Sequence, residues 1–297
     1  MREIDLTTLR SAAGIGVAGN FAGHLEQAGE AAFFRNVATA SADAPKGIFP
    51  WYLPGHEGRL GVFPLSRSEI IIPATSDPLQ LQIEPELGAL CTVTYGPTKR
   101  IATIAVTGVG AFNDCSIRQP DSIKISAKKN WGPAAKGFAA RLFPVEDLAP
   151  DNGLAHLRIA SFLRRGDVVA AYGIDSPARG YSYAGATLTE WLIDRFTAQS
   201  GGVDSPLEAV GDQLIDAGCP TTLVIGIGAT RYTEFGATHY LDVGDESIVI
   251  VYDERSWSVD DIDRAVRSGG EMHLTAASVL CQRVVERNEL SRGSTPA

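Results

Sequence analysis

The chain has no run of about 18 apolar residues, so no transmembrane helix is expected. Positive charge is in the minority: 26 Lys and Arg stand against 35 Asp and Glu, a formal net charge of -9. A nucleic-acid or anionic-membrane partner would call for a basic face, and none is expected here. Cysteine is scarce, and Cys91, Cys115, Cys219 and Cys281 form no C-x-x-C. They are expected to be reduced, buried thiols in a cytoplasmic protein. The start, Met1-Arg2-Glu3-Ile4-Asp5-Leu6, lacks the apolar core of a signal peptide. His56, His156, His239 and His273 show no metal-ligand spacing such as H-x-x-x-H. The glycines at 14, 16 and 19 have no acidic ribose-binding residue suitably placed about 20 residues on, which argues against a dinucleotide site. No internal repeat and no long low-complexity linker divides the chain.

What is present is β-rich sequence with a few helical stretches. An Ala/Glu-rich helix is expected over about 21–38, then a Pro/aromatic loop over 45–66. β-Branched runs follow at 70–72, 90–95 and 101–109, with Pro78 and Pro85 marking edge or bulged strands. A strand pair turning at Arg165-Gly166-Asp167 is expected within 153–172, and helices over 187–198 and 206–217. Strands follow at 221–227 and 246–253. Ser258 and Asp261 form a capping pair before a short helix, and 274–285 reads as the last helix. The simplest account is an α+β protein. Residues 1–69 form an N-terminal segment with a helical lid and the Pro/aromatic loop, 70–290 the main domain, and 291–297 a flexible tail.

The chemistry concentrates in carboxylates. In Ile83-Glu84-Pro85-Glu86-Leu87 the acids lie two apart in strand-like sequence, so both project to one face, roughly 7 Å apart. Two such carboxylates repel unless one is protonated or a cation sits between them. Asp114, from Asn113-Asp114-Cys115-Ser116, would complete an oxygen-donor site for a hard divalent ion. Cys115 reads as packing, because no base stands near it in sequence.

The order of motifs resembles the fumarylacetoacetate hydrolase superfamily, and in particular a poorly characterised branch of it. The matching blocks are Gly19-Asn20-Phe21-x-x-His24, Ile70-Ile71-Ile72-Pro73, Glu84-x-Glu86-Leu87, Asn113-Asp114-x-x-x-Arg118 and Lys136-Gly137-Phe138. Together they cover about residues 14–145. The resemblance implies a mixed β-roll with flanking helices, usually dimeric, that binds Mg²⁺, Mn²⁺ or Ca²⁺ through Glu84, Glu86 and Asp114. It implies a metal-chelating 2-oxo acid or 1,3-dicarbonyl substrate, acylpyruvate-like, cleaved at a C–C bond. His24, with Glu26 as its nearest acid, is the implied general base or acid, and Lys136 the implied fixed cation beside developing charge. Asn20, Phe21, Arg118, Thr230 and Tyr183 are the implied substrate contacts. Arg118 is equally readable as a brace on the carboxylates, and Tyr181 and Tyr183 as core.

The chain departs from the family pattern in two places. Family members carry a Glu three residues after the His, where this chain has Gln27. Gln27 can orient a water but cannot take a proton, and Glu30 lies two turns along. Where the family has a Gly-Thr-Pro turn, this chain has Gly226-Ile227-Gly228-Ala229-Thr230-Arg231. Hydrolysis needs an activated water; decarboxylation, tautomerisation or dehydration of a chelated keto acid does not. A catalytically silent binding protein on the same fold is the remaining reading.

Overall fold

The structure, a computed structural model, describes residues 1–35, 37, 39, 41, 43–73, 79–118 and 122–286. Its larger sheet has seven strands in the order Gly47–Tyr52, Ala13–Ala18, Thr222–Ala229, Pro85–Tyr95, Ile101–Asn113, Lys136–Phe138 and Leu65–Ser66. The second has five, in the order Val168–Pro177, Leu157–Arg165, Glu246–Asp253, Ala277–Glu286 and Glu69–Ile72. Both mix parallel and antiparallel pairs: Ala13–Ala18 runs parallel to Thr222–Ala229, and Glu69–Ile72 parallel to Ala277–Glu286. One apolar cluster joins residues of both sheets, among them Ile15, Leu87, Val109, Ile159, Ile225 and Val251, with Leu188, Leu192 and Phe196 of helix Gly185–Ala198. This is the α+β fold of fumarylacetoacetate hydrolase type that the motifs imply. Among the described residues no helix is long and apolar enough to cross a membrane.

Several expectations hold in detail. The strand pair turns at Arg165, helix Gly185–Ala198 covers 187–198, and Ser258 and Asp261 cap helix Val259–Arg267 reciprocally. The expected helix at 206–217 is shorter, Val210–Asp216.

Three expectations are corrected. Residues 47–52 are a fully buried strand rather than a surface loop. The strand lies at the sheet edge and pairs through an irregular register around Pro50, so the missing proline N–H costs no ladder bond there. Ala13–Ala18, Gly47–Tyr52 and Leu65–Ser66 thus join the same sheet as Pro85–Tyr95. Among its described residues the 21–38 stretch makes only helix His24–Gln27 and a 3₁₀ turn Ala31–Phe34, interrupted by Gly29 at φ 71°. Residues 274–285 form strand Ala277–Glu286 rather than a helix, held between two neighbouring strands. Pro78 and the 291–297 tail lie outside the described residues. Gly14 and Gly16 serve packing: a Cβ there would stand 2.3 Å from the Trp51 ring and 2.2 Å from the Phe49 ring.

Candidate functional site

The two longest neighbouring strands assemble the carboxylates. Pro85–Tyr95 and Ile101–Asn113 pair antiparallel with Pro85 opposite Asn113 and Glu86 opposite Phe112. Pro85 is the first residue of its strand, where a proline is tolerated. Just beyond the ladder, the Asp114 N–H donates to the Glu84 carbonyl at 3.0 Å. Asn113 locks the same corner: its Oδ1 accepts from the Glu84 N–H at 3.1 Å, while its Nδ2 donates to Ser247 and Gln282 of the second sheet. Glu84, Glu86 and Asp114 are 4%, 3% and 1% exposed. One oxygen from each lies within 4.8 Å of the others.

The facing strand leaves room for this cluster because it carries glycine. A Cβ on Gly226 would stand 2.5 Å from Glu86 Oε2. The Gly228 N–H donates to that same oxygen at 3.1 Å, so this turn holds a carboxylate of the cluster in place. We expect Gly226→Ala to push Glu86 out of the cluster and cost about 1–3 kcal/mol by overpacking. Divalent-ion titration of the folded variant should show a lower affinity than the wild type, and an unchanged affinity would contradict this packing role.

Four cations surround the acids. Lys129 Nζ lies 2.6 Å from Glu84 Oε2 and 2.5 Å from Asp114 Oδ2. Lys136 Nζ lies 3.1 Å from Asp114 Oδ1 and also donates to the Cys115 carbonyl. Arg118 reaches Glu84 Oε1 at 2.9 Å, Glu30 at 2.8 Å, Gln82 at 2.6 Å and the Tyr232 hydroxyl at 2.9 Å. Lys128 Nζ lies 2.8 Å from the same Glu30 oxygen. Burial alone would raise the Glu84 pKa, but Lys129 and Arg118 outweigh it and hold that carboxyl well below its ordinary range. Glu86 has no ion-pair partner among the described residues. Its burial, then the charges of Asp114 and Glu84, push its pKa well above the usual carboxylate value.

A divalent ion fits this donor set. Glu84 Oε1 and both Asp114 oxygens are buried without a hydrogen bond, so their ion-pair contacts leave lone pairs unused. All three acids line a cavity of about 20 Å³ together with His24, Glu30 and Lys129. That is room for about one water-sized particle.

His24 is 5% exposed, and its Nδ1 lies 2.9 Å from the Thr230 carbonyl oxygen. A carbonyl can only accept, so Nδ1 carries the hydrogen and Nε2 keeps its lone pair in the neutral ring. Burial depresses the His24 pKa below 6.5. Gln27 is spent on structure, donating to the Tyr232 carbonyl at 3.1 Å and accepting its N–H at 2.9 Å. Glu30, on the same segment, lines the cavity with His24 and is clamped by Arg118 and Lys128. It also lines a cleft of about 630 Å³ with Gln80, Gln82 and Tyr240.

The remaining expected residues divide as follows. Glu26 is exposed and is not a partner of His24; two residues on, it points to another face of the short helix. Lys136, fully buried, does not line the cavity and braces Asp114 instead. Arg118 holds Glu84 and Glu30 through its guanidinium and is also engaged by Gln82 and Tyr232. Asn20 is a staple: its Nδ2 donates to the Tyr183 and Ile227 carbonyls and its Oδ1 accepts the Tyr183 N–H. Phe21 packs edge-on against Tyr181 at 5.5 Å, and Tyr183 against Trp191 at 6.2 Å, away from the cavity. Thr230 contributes its main-chain carbonyl to His24, and its hydroxyl lies 3.5 Å from the Pro85 carbonyl. Cys115 is fully buried with its thiol pushed up to about 12, in keeping with a packing role. Sequence reasoning missed Lys129. Its signal was present only as a lysine pair, Lys128-Lys129, indistinguishable from a solvated surface until the fold buries it.

The model of one family, described as a family of unknown function (DUF5718), matches residues 30–284. No curated protein gives a significant match. Among solved structures, one of Cg1458 with an inhibitor matches with a TM-score of 0.51 and 15% identity, over 93% of this chain and 77% of that one. A 5-carboxymethyl-2-hydroxymuconate delta-isomerase from Mycobacterium smegmatis matches at 0.46 and 17%, over 94% and 80%. Maleylpyruvate hydrolase from Sphingobium sp. SYK-6, in complex with manganese(II) ion and pyruvate, matches at 0.45 and 12%, over 93% and 71%.

Proposed function

The chain belongs to the DUF5718 family, a family of unknown function, and we propose that it is a divalent-metal-dependent enzyme acting on a small 2-oxo acid or 1,3-dicarbonyl compound. The observation that carries this reading is the buried triad of Glu84, Glu86 and Asp114, one oxygen of each lying within 4.8 Å of the others. A Mg²⁺, Mn²⁺ or Ca²⁺ ion held there supplies Lewis-acid stabilisation of an enolate. His24, lining the same cavity, moves a proton at Nε2, and the Thr230 carbonyl fixes its tautomer. Arg118 and Lys136 keep Glu84 and Asp114 ionised and in place.

Within that class, decarboxylation, tautomerisation or dehydration is favoured over C–C bond hydrolysis. The supporting observation is that Gln27 is occupied by Tyr232, and no carboxylate among the described residues is hydrogen-bonded to His24 to strengthen it as a water-activating base. Incubating the Mn²⁺-supplemented protein with oxaloacetate and, separately, with an acylpyruvate discriminates the two. Pyruvate from the first with the second left uncleaved supports this reading, and cleavage of the acylpyruvate to two acids would restore the hydrolase. Because burial holds His24 below 6.5, the acid limb of the pH–rate profile should fall below 6.5 and disappear in His24→Gln. An acid limb above that value would assign the proton transfer elsewhere.

A cytoplasmic homodimer remains part of the proposal. Its first test is the mass in solution.

A further inference from the structure

Lys129 stands where a metal ligand set would hold its ion. It follows directly on the 3₁₀ turn Ile125–Lys128, which Asn130 ties down by donating to the Trp51 and Val62 carbonyls at 2.9 and 3.0 Å. The segment is thus anchored, and the Lys129 side chain is delivered into the carboxylates with 3% exposure. Of the lysines and the arginine that contact the triad, only Lys129 lines the cavity that the three acids share. It is also the one cation that bridges two of the acids, Glu84 and Asp114.

Charge and space lead to the same conclusion. Arg118, Lys129 and Lys136 balance the formal charge of Glu84, Glu86 and Asp114, while Lys128 balances Glu30. Adding a dication to that buried cluster, whose formal charges are already matched, would leave an excess of positive charge in a low-dielectric interior, where unpaired charge is costly. The cavity of about 20 Å³ holds about one water-sized particle. An ion bound to Glu84 and Asp114 and an ammonium bridging the same two acids therefore compete. In its bridging position Lys129 Nζ also lies 5.3 Å from the Phe49 ring, a cation–π contact that adds to its hold on the cluster.

We propose that Lys129 is a resident counter-cation of the carboxylate centre, and that a divalent ion loads by displacing its ammonium from Glu84 and Asp114. This inference rests on the metal-binding reading of the triad. It makes the lysine a built-in competitor, setting the ion concentration at which the centre loads and keeping the metal-free chain folded.

The test is calorimetric titration with Mn²⁺ of the full chain as wild type, Lys129→Met and Lys129→Gln, with thermal unfolding of each in chelator and in saturating Mn²⁺. The Met variant should bind Mn²⁺ at least tenfold more tightly than wild type. It should unfold at a lower temperature than wild type in chelator and recover most of that deficit in Mn²⁺, with Gln intermediate. Equal or weaker Mn²⁺ binding by both variants, while the wild type binds, overturns the competition and leaves the metal site standing. No uptake by any of the three at millimolar Mn²⁺ overturns the metal reading itself, and this inference with it. Should neither variant fold, the Mn²⁺-bound wild-type structure decides: Lys129 Nζ out of hydrogen-bond reach of Glu84 and Asp114 supports displacement, and Lys129 still bridging both beside the ion refutes it.

Discussion

Asp114→Ala is expected to cost about 3–5 kcal/mol of folding stability and to abolish divalent-ion uptake. Asp114 is 1% exposed and receives Lys129 at 2.5 Å and Lys136 at 3.1 Å. Removing it leaves the Lys136 ammonium, itself fully buried, with the Cys115 carbonyl as its remaining polar contact. Breaking a buried pair from one side costs more than removing both partners, because the surviving charge has lost its solvent and its partner alike. Two signatures separate this from generic damage. Burial already lowers the Lys136 pKa, and the loss of Asp114 lowers it further. The unfolded state then binds the extra proton, so the deficit of the variant should shrink as pH rises from 7 toward the ordinary lysine value. The double variant Asp114→Ala/Lys136→Met should be more stable than Asp114→Ala alone. Urea denaturation at two pH values reads both effects, and a deficit independent of pH and of Lys136 would contradict the account.

Glu86→Gln should have the opposite stability effect with the same loss of metal. Glu86 has a single main-chain donor, and its pKa is raised by burial and by its acidic neighbours. The fold therefore raises the proton affinity of Glu86 above that of the unfolded chain. The sign follows: Glu86 favours folding at low pH, and that contribution fades as pH rises through its folded pKa. Glutamine, near-isosteric and neutral, can still accept from the Gly228 N–H and does not carry this pH-dependent term. The metal-free variant should match or exceed the wild type in thermal stability at neutral pH. Its affinity for Mn²⁺ should fall by at least ~100-fold, since disturbing groups behind a ligand alone costs 10–100-fold. A stabilised chain that has lost its metal is the pattern of a residue retained for function at the expense of fold. A destabilised variant with intact metal affinity would remove Glu86 from the centre.

The metal end of this site was legible in the sequence because it depends on local rules. Two acids at i and i+2 in a strand share a face, and the block Asn113-Asp114 ends the partner strand whose register sets Asp114 beside Glu84. The roles of the surrounding cations were not legible. Lys129 and Lys136 both read as lysines near a Gly- and Pro-containing turn, and only tertiary placement shows that Lys136 stands behind Asp114 while Lys129 enters the cavity. Asn20 was chosen for its position in a motif. Its amide instead joins the first strand region to Tyr183 and Ile227, more than 160 residues away, a contact that carries no sequence signal. In the fold, Pro50 disguised an edge strand as a loop, and residues 274–285 read as a helix although they form strand Ala277–Glu286. In both cases pairing partners distant in sequence decided the outcome.

The central claim is that one divalent ion sits among Glu84, Glu86 and Asp114. Anomalous diffraction from crystals grown with Mn²⁺ and oxalate tests it most directly, because the metal locates itself and oxalate supplies the chelating oxygens of an enolate. The account predicts a single manganese peak within coordinating distance of all three carboxylates, with oxalate on its open side. A manganese peak elsewhere, or none at the triad when Mn²⁺ is present at millimolar concentration, would contradict it.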